Sequence, residues 1–342
     1  MPEYFLVDFR DDDDDDVVVD KLMDVLGLTD TENNTKDYQR DLSVAERRVD
    51  FKSINRFFEE DALTLGLKLR GFIKLMEGQT LALISEQDAR NLSAEFAQSL
   101  RLSTGTEFSR AVEEYLLDTW RRNRDLAIDE LPEPVRDKLG NLRRYDDSTE
   151  QQYATSFRPD VAVSYLRNRA LFIKGIIDDQ LTKEVKYQIF EHLKGGRTLS
   201  ETMGNIREVF EPWVGDPEKI IPSGMTATPE DILQAYRLEN IVRTETATAM
   251  NMARTAVGDA AEDFVIGYEH SSILDMRTSS VCMLADGIRY RKDDARAVKL
   301  QKPLHWNCRS IDAFITTNDV PVEWTSEEDL DEVVREIPKE FK

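Results

Sequence analysis

The sequence predicts a mainly α-helical N-terminal region followed by a small α+β module, a long helix with a short antiparallel sheet. Three observations carry this. Between about residues 43 and 210 the apolar residues recur at three-and-four spacing. A strong start signal at Thr228 and Pro229 opens one more long helix. After Gly258 the apolar pattern changes to alternation, the mark of strands.

The elements follow in order. Residues 1–42 read as a flexible acidic arm, because Asp11 to Asp16 form an unbroken run of carboxylates that repel one another. A helical domain spans 43–215. Its first helix carries Val49, Ile54, Phe57, Phe58, Leu63, Leu67 and Phe72, with Gly78 as its stop, and Ser85 with Asp88 suggests the next start. The helix in "TEFSRAVEEYLLDTWRRNRDLAIDEL" should end at the Pro132–Pro134 stretch. Two helices fit 159–176 and 178–194, closed by Gly195 and Gly196, and a shorter one should end before Pro212. His192 reads as an ordinary satisfied histidine. Residues 216–227, rich in Pro and Gly, form a linker.

The module spans 228–317. Thr228, Pro229 and Asp231 make a capping box. The helix behind it has a small-residue face, a stripe of Thr244, Thr248, Asn251 and Thr255, and another of Arg243, Met250 and Arg254. Glu239 and Arg243 form an i,i+4 pair. "DFVIGYEHSS", "IRYR" and "RSIDAFIT" are strand candidates, and "SSVCMLADG" one or two helical turns closed by Gly287. An acidic tail, 318–342, holds one short helix in "SEEDLDEVVREI".

Composition limits the function. A net charge of −22 over 342 residues opposes general nucleic-acid binding, which needs clustered Lys and Arg. Two cysteines cannot build a disulfide framework. No apolar run approaches the roughly 20 residues of a membrane span, and the first residues lack the features of a secretion signal. These readings point to a soluble chain made in a reducing cytoplasm. No P-loop, G-x-G-x-x-G or H-E-x-x-H is present.

The chemistry-bearing residues gather near the C-terminal end. Cys282, His305 and Cys308 offer three zinc-type ligands, the last two in an H-x-x-C pair, with His270 or Asp275 as a fourth. The alternative is that the two thiols are small core residues and no cofactor is bound. A nucleophilic Cys–His pair fits poorly, because no Gly-rich elbow precedes either cysteine. Arg243, Glu245, Asp275, Arg277 and Arg309 stand among small or apolar neighbours and read as structural polar anchors that hold the helix to the sheet.

The order "VRTETATAMNMAR", "DMRTSSVC", "ADG", "KPLHWNCRS" resembles the signature of the phage Mu F-like head morphogenesis family, over 228–317. The resemblance implies a minor head protein, not an enzyme, that associates with the portal vertex in head assembly. It further implies roles in DNA packaging or ejection and a place inside the head of the virion, after assembly in the host cytoplasm. The implied partners are the portal protein, with scaffold or major capsid protein beside it and the genomic DNA nearby. Many members carry cysteines where Ser279 and Ser310 stand here. The rival readings are an enzyme, a toxin or transferase linked to a Mu F-like domain, and a cytoplasmic adaptor. The apolar excess of Phe51, Phe57, Phe58, Leu65, Leu69, Phe72 and Leu75 suggests that the first long helix is the portal contact.

Overall fold

The computed structural model describes residues 42–86, 92–143, 159–195, 197–214, 237–272 and 278–341. The poly-Asp run, the 216–227 linker, the Thr228 start signal, Asp275 and Arg277 lie outside the described residues.

The helices are α1 (Phe51–Glu86), α2 (Ala94–Ser99), α3 (Thr106–Asp129), α4 (Glu133–Arg143), α5 (Pro159–Leu193), α6 (Leu199–Val214) and α7 (Arg237–Ala260). Then come β1 (Val265–Ser271), α8 (Ser280–Ala285), β2 (Arg289–Arg291), α9 (Ala297–Leu300), β3 (Ile311–Thr316) and α10 (Glu327–Glu336). The expected class therefore holds: helices first, then a small antiparallel sheet of order β2-β1-β3. Among the described residues, no helix is long and apolar enough to cross a membrane.

Several boundaries differ from expectation, each for a packing reason. Gly78 does not stop α1, because Met76, Thr80 and Ile84 continue its buried stripe at four-residue spacing. Ser85 is inside that helix, its hydroxyl donating to the Ala82 carbonyl, and the next helix is capped instead by Ser93, which accepts from Phe96 N–H at 3.1 Å. α3 does end before the Pro132–Pro134 stretch, at Asp129, and Glu133 and Pro134 then form the first turn of the new helix α4. The two helices expected at 159–194 are one, α5, continuous through Gly175. α6 runs past Pro212 because Phe210 and Trp213, both fully buried, hold its last turn.

The described residues divide into two compact units, one drawn from the stretches 1–64, 116–163 and 243–342, the other from 65–115 and 164–242. In the second unit the core is a set of helix stripes. Leu65, Leu69, Ile73 and Met76 come from α1, Phe108 and Val112 from α3, and Ile173, Ile177, Leu181, Val185 and Ile189 from α5. Phe72 meets Phe108 edge-on at 5.8 Å. Asp178 of α5 accepts from the Thr104 N–H at 2.8 Å and pairs with Lys174, fixing the turn before α3. The opposite side of α5 is also apolar, with Tyr165, Phe172, Ile176 and Tyr187 exposed, which is why that helix shows no amphipathic bias. His192 is satisfied, 3.0 Å from the Thr202 hydroxyl.

Phe58, Leu65 and Leu69 are buried, Phe51 packs against a core cluster, and Phe57 lies beneath the guanidinium groups of Arg56 and Arg122. Of the apolar set read as a portal contact, Leu75 is the one large exposed side chain. Most of the apolar excess of α1 is thus engaged in internal packing, with Leu75 left exposed.

In the first unit, Ile54 and Phe58 of α1, Ala247 and Met250 of α7, and Ile311, Ala313 and Ile315 of β3 form one core cluster. Tyr268 of β1 stands between Tyr290 of β2 and Phe314 of β3 in register. Gly267 has no room for a side chain, because a Cβ there would lie 2.5 Å from the Tyr290 carbonyl oxygen and 2.7 Å from the Trp324 ring. α10 buries Leu330, Val333 and Ile337, so the acidic C-terminal stretch is packed down by its apolar stripe.

A buried carboxylate in this unit gives a pH test. Asp61 of α1 accepts from Thr119 Oγ1 at 3.1 Å and from Arg122 Nη2 at 2.5 Å. Burial nonetheless dominates and lifts its pKa from 3.8 to about 6, against the lowering by Arg122 and Thr119. The folded state thus holds the proton more tightly than the unfolded chain. The stability this gives is complete below the unfolded pKa and is lost as pH rises through about 6. The shift corresponds to at most about 3 kcal/mol. Asp61→Asn removes the ionisation, so the unfolding free energy of wild type relative to Asp61→Asn should fall by about 2–3 kcal/mol between roughly pH 4 and pH 7. Denaturant unfolding across that range checks it; a difference that does not move with pH refutes it.

Candidate metal centre

The candidate site is assembled from two short segments of the module. α8 begins with Ser279 as its cap, whose hydroxyl accepts from Cys282 N–H at 3.2 Å. This places Cys282 in the first turn with its side chain inward, 3% exposed. The second segment is the loop between α9 and β3. Asn307 turns it through a left-handed conformation, φ 61°. Two members of the polar stripe on α7 hold that loop. Thr244 Oγ1 accepts from Asn307 N–H at 3.1 Å, and Asn251 Nδ2 donates to the Ser310 carbonyl at 3.3 Å.

The result is convergence. Cys282, His305 and Cys308 have their ligand atoms all within 4.8 Å of one another. Cys282 Sγ is 3.0 Å from His305 Nε2 and 3.7 Å from Cys308 Sγ. His305 Nδ1 is 2.6 Å from the Trp306 carbonyl oxygen. A carbonyl only accepts, so Nδ1 carries a hydrogen and Nε2 is the nitrogen turned to the sulfurs. Ser279 Oγ stands 2.7 Å from that Nε2.

Beneath the sulfurs lies a chain of hydroxyls. Ser310 Oγ donates to Cys282 Sγ at 3.1 Å, Ser272 Oγ lies 3.0 Å from Ser310 Oγ, and His270 Nε2 lies 3.0 Å from Ser272 Oγ. His270, expected as a fourth ligand, is therefore one step removed and not part of the ligand cluster. Its place on β1 points it into the interior, where it meets Ser272 first.

The two thiols are not equivalent. The Cys282 thiol donates to Cys308, and this, against burial and with help from His305, holds Cys308 well below the ordinary thiol range. The same hydrogen bond, with burial adding, pushes Cys282 well above it. Burial would lower His305, but Cys308 and the Trp306 carbonyl outweigh it and raise it. The sulfurs themselves are closed off, with Cys308 wholly buried, and a nucleophile without access to a substrate has no catalytic use. The chemistry open to the cluster is metal ligation, or packing of two thiols.

The predicted anchors divide. Arg243 pairs with Glu59 of α1 at 2.8 Å and lies over the Phe58 ring; the side chain of its expected partner Glu239 lies outside the described residues. Glu245 is buried, and Arg309 is half-buried near the core cluster, beside Phe51 and Ile311. Three stronger joints were not read from the sequence. Arg254 of α7 reaches both carboxylate oxygens of Glu130, at 2.7 and 2.6 Å, and donates to the Asp312 carbonyl at 3.0 Å. Lys302 is buried against Asp312 and faces the Tyr290 ring. Arg48 forms a two-pronged pair with Asp319, at 2.8 Å on each prong. The available signal for Arg254 was its place on the stripe of Arg243 and Met250, a charge on a helix otherwise rich in small and apolar residues such as Ala253, Ala256 and Val257.

Comparison with protein families matches residues 183–311 to the model described as Phage Mu protein F like protein. Comparison with curated proteins and with solved structures gives no match. The matched stretch begins within α5, earlier than the resemblance read from the sequence, and ends at the first residue of β3. It contains Cys282, His305, Cys308 and Arg254.

Arg254 gives the test of the joints. Burial pushes the Glu130 carboxyl up and Arg254 pulls it back, so removing the arginine alone strands a charge-prone acid in the interior. Arg254→Met should cost about 3–5 kcal/mol, and the double variant with Glu130→Met should recover most of that loss. Chemical denaturation of the four proteins of the cycle measures it; a double-variant loss equal to the sum of the two single losses would show that the pair is not coupled.

Proposed function

Because residues 183–311 are a phage Mu F-like region, we propose that this protein is a minor head protein of a tailed phage, joined to the portal vertex during head assembly. A Mu F-like domain implies head morphogenesis, and the family match is the observation that carries the reading. Portal protein is the proposed main partner, with scaffold or major capsid protein beside it, and roles in packaging or ejection of DNA belong to the same proposal. The net charge of −22 supports docking on protein rather than on the genome. The burial of both thiols supports a structural task over the enzyme reading. No observation favours the adaptor.

The experiment uses a phage encoding this chain, with and without a stop codon early in its gene. Purified heads from the intact phage should contain the protein at low copy relative to the major capsid protein, by quantitative mass spectrometry, and cross-linking should join it to portal subunits. Heads from the truncated phage should be fewer or defective, with a lower yield of infectious particles. Full phage yield without the protein, together with its absence from intact heads, would overturn the proposal.

A further inference from the structure

We propose that Cys282 Sγ, Cys308 Sγ and His305 Nε2 bind one zinc ion that ties α8 to the segment leading into β3, with the fourth position on the Ser279 side.

Four observations support this. First, the donor set is right. Two sulfurs and an imidazole nitrogen lie within 4.8 Å of one another, and such mixed N/S sets suit zinc in tetrahedral geometry. Second, the spacing is right. Two sulfurs each about 2.3 Å from a tetrahedral ion stand about 3.8 Å apart, and Cys282 and Cys308 stand at 3.7 Å. The contact of His305 Nε2 with Cys282 at 3.0 Å needs only a small opening. Third, the support around the ligands is already in place. The Trp306 carbonyl holds Nδ1 as the donor and so presents Nε2 to the metal, the usual role of a carbonyl behind a metal-bound histidine. Ser310 donates to Cys282 Sγ, as a hydrogen bond to a thiolate should. Fourth, the charges close. Two thiolates and a neutral imidazole balance Zn²⁺, so the buried site carries no net charge. Binding releases to solvent the protons that the two sulfurs and Nε2 hold without the metal.

The Ser279 hydroxyl, half-buried and 2.7 Å from Nε2, marks the remaining position. That position is filled by this hydroxyl or by a water next to it. With the sulfurs buried and helix, loop and strand all converging on it, the ion would act as a clasp and not as a catalyst.

The proposal stands apart from the head-protein reading, since its test uses the purified full chain alone. The protein is stripped with chelator under reducing conditions and titrated with Co²⁺, then with Zn²⁺. Expected are thiolate-to-cobalt charge-transfer bands in the near ultraviolet and intense tetrahedral bands in the visible, saturating at about one equivalent and bleached by zinc. Cys308→Ser should lose most of the charge-transfer intensity. Ser279→Cys adds a third thiolate and should raise that intensity by about half. Wild-type protein that shows no such bands overturns the proposal whether or not any variant folds. So does a spectrum unchanged in Cys308→Ser, and a Ser279→Cys variant with no added intensity overturns the placement of the fourth position.

Discussion

The module depends on one buried cation. Arg254 projects from α7 into a region where it is 1% exposed, and there it meets both oxygens of Glu130, the Asp312 carbonyl and the Phe314 ring. Glu130 follows directly on α3, while Asp312 and Phe314 belong to β3, so a single guanidinium joins three segments far apart in the chain. Its planar fork is what makes this feasible, since two parallel N–H donors meet the carboxylate and the third side of the group remains for the carbonyl. A lysine also carries three donors, but on one nitrogen, and lacks the planar fork that meets both carboxylate oxygens while a third donor serves the carbonyl. The pair adds little net stability over an apolar substitute of the same volume. What it contributes is position, because each of the three segments has only one way to satisfy the buried charge.

The candidate metal centre depends on the same helix through a different face. Thr244 and Asn251 of α7 hold the backbone of Asn307 and Ser310, and those two residues flank Cys308. The left-handed turn at Asn307 reverses the chain so that His305 and Cys308 face α8 together. β3 then begins at once, paired with β1 from Val265 to Ser271. The cluster therefore sits between a helix that fixes its backbone and a strand that fixes where the backbone leaves, with α8 as its only short, separately held part. That is the joint at which an additional cross-link would restrict most motion.

Much of this was legible in the chain, and the rest was hidden for identifiable reasons. The change from helical to alternating period after Gly258 located β1, and the Gly287 signal closed α8, because local propensity and packing agree there. Helix ends were less visible. Gly78 and Pro212 each look like a stop, yet the buried stripes of Ile84 and Trp213 run through them, and tertiary burial outweighs a local penalty on the order of 1–3 kcal/mol. The assembly of two units from interleaved segments leaves no local mark, because α1, α3 and α7 each pass from one unit to the other in the middle of a regular helix. In the site, Cys282, His305 and Cys308 were visible as rare residues in a short region. The hydroxyl chain of Ser272 and Ser310 was not, because serines are common and their meaning lies in what they touch.

Ser310 and Ser279, which stand where the Mu F-like resemblance leads one to expect cysteines, have a physical reading in the fold. Ser310 is buried directly behind Cys282 and donates to its sulfur, a task a thiol performs less well because it is a weak donor. Ser279 caps α8 and stands beside His305 Nε2, and a thiol is likewise the poorer cap. In this chain the two hydroxyls thus orient the candidate ligands, one by polarising Cys282 and the other by setting the turn that carries it. A site of two sulfurs and one nitrogen keeps its geometry only if something else fixes each ligand. Here the Trp306 carbonyl, Ser310 and Ser279 together provide that for His305 and Cys282, while Cys308 is held by burial and by the backbone contacts of its neighbours with α7. The ordering of the cluster is accordingly built into the polypeptide, and any ion that enters it meets ligands that need to move little.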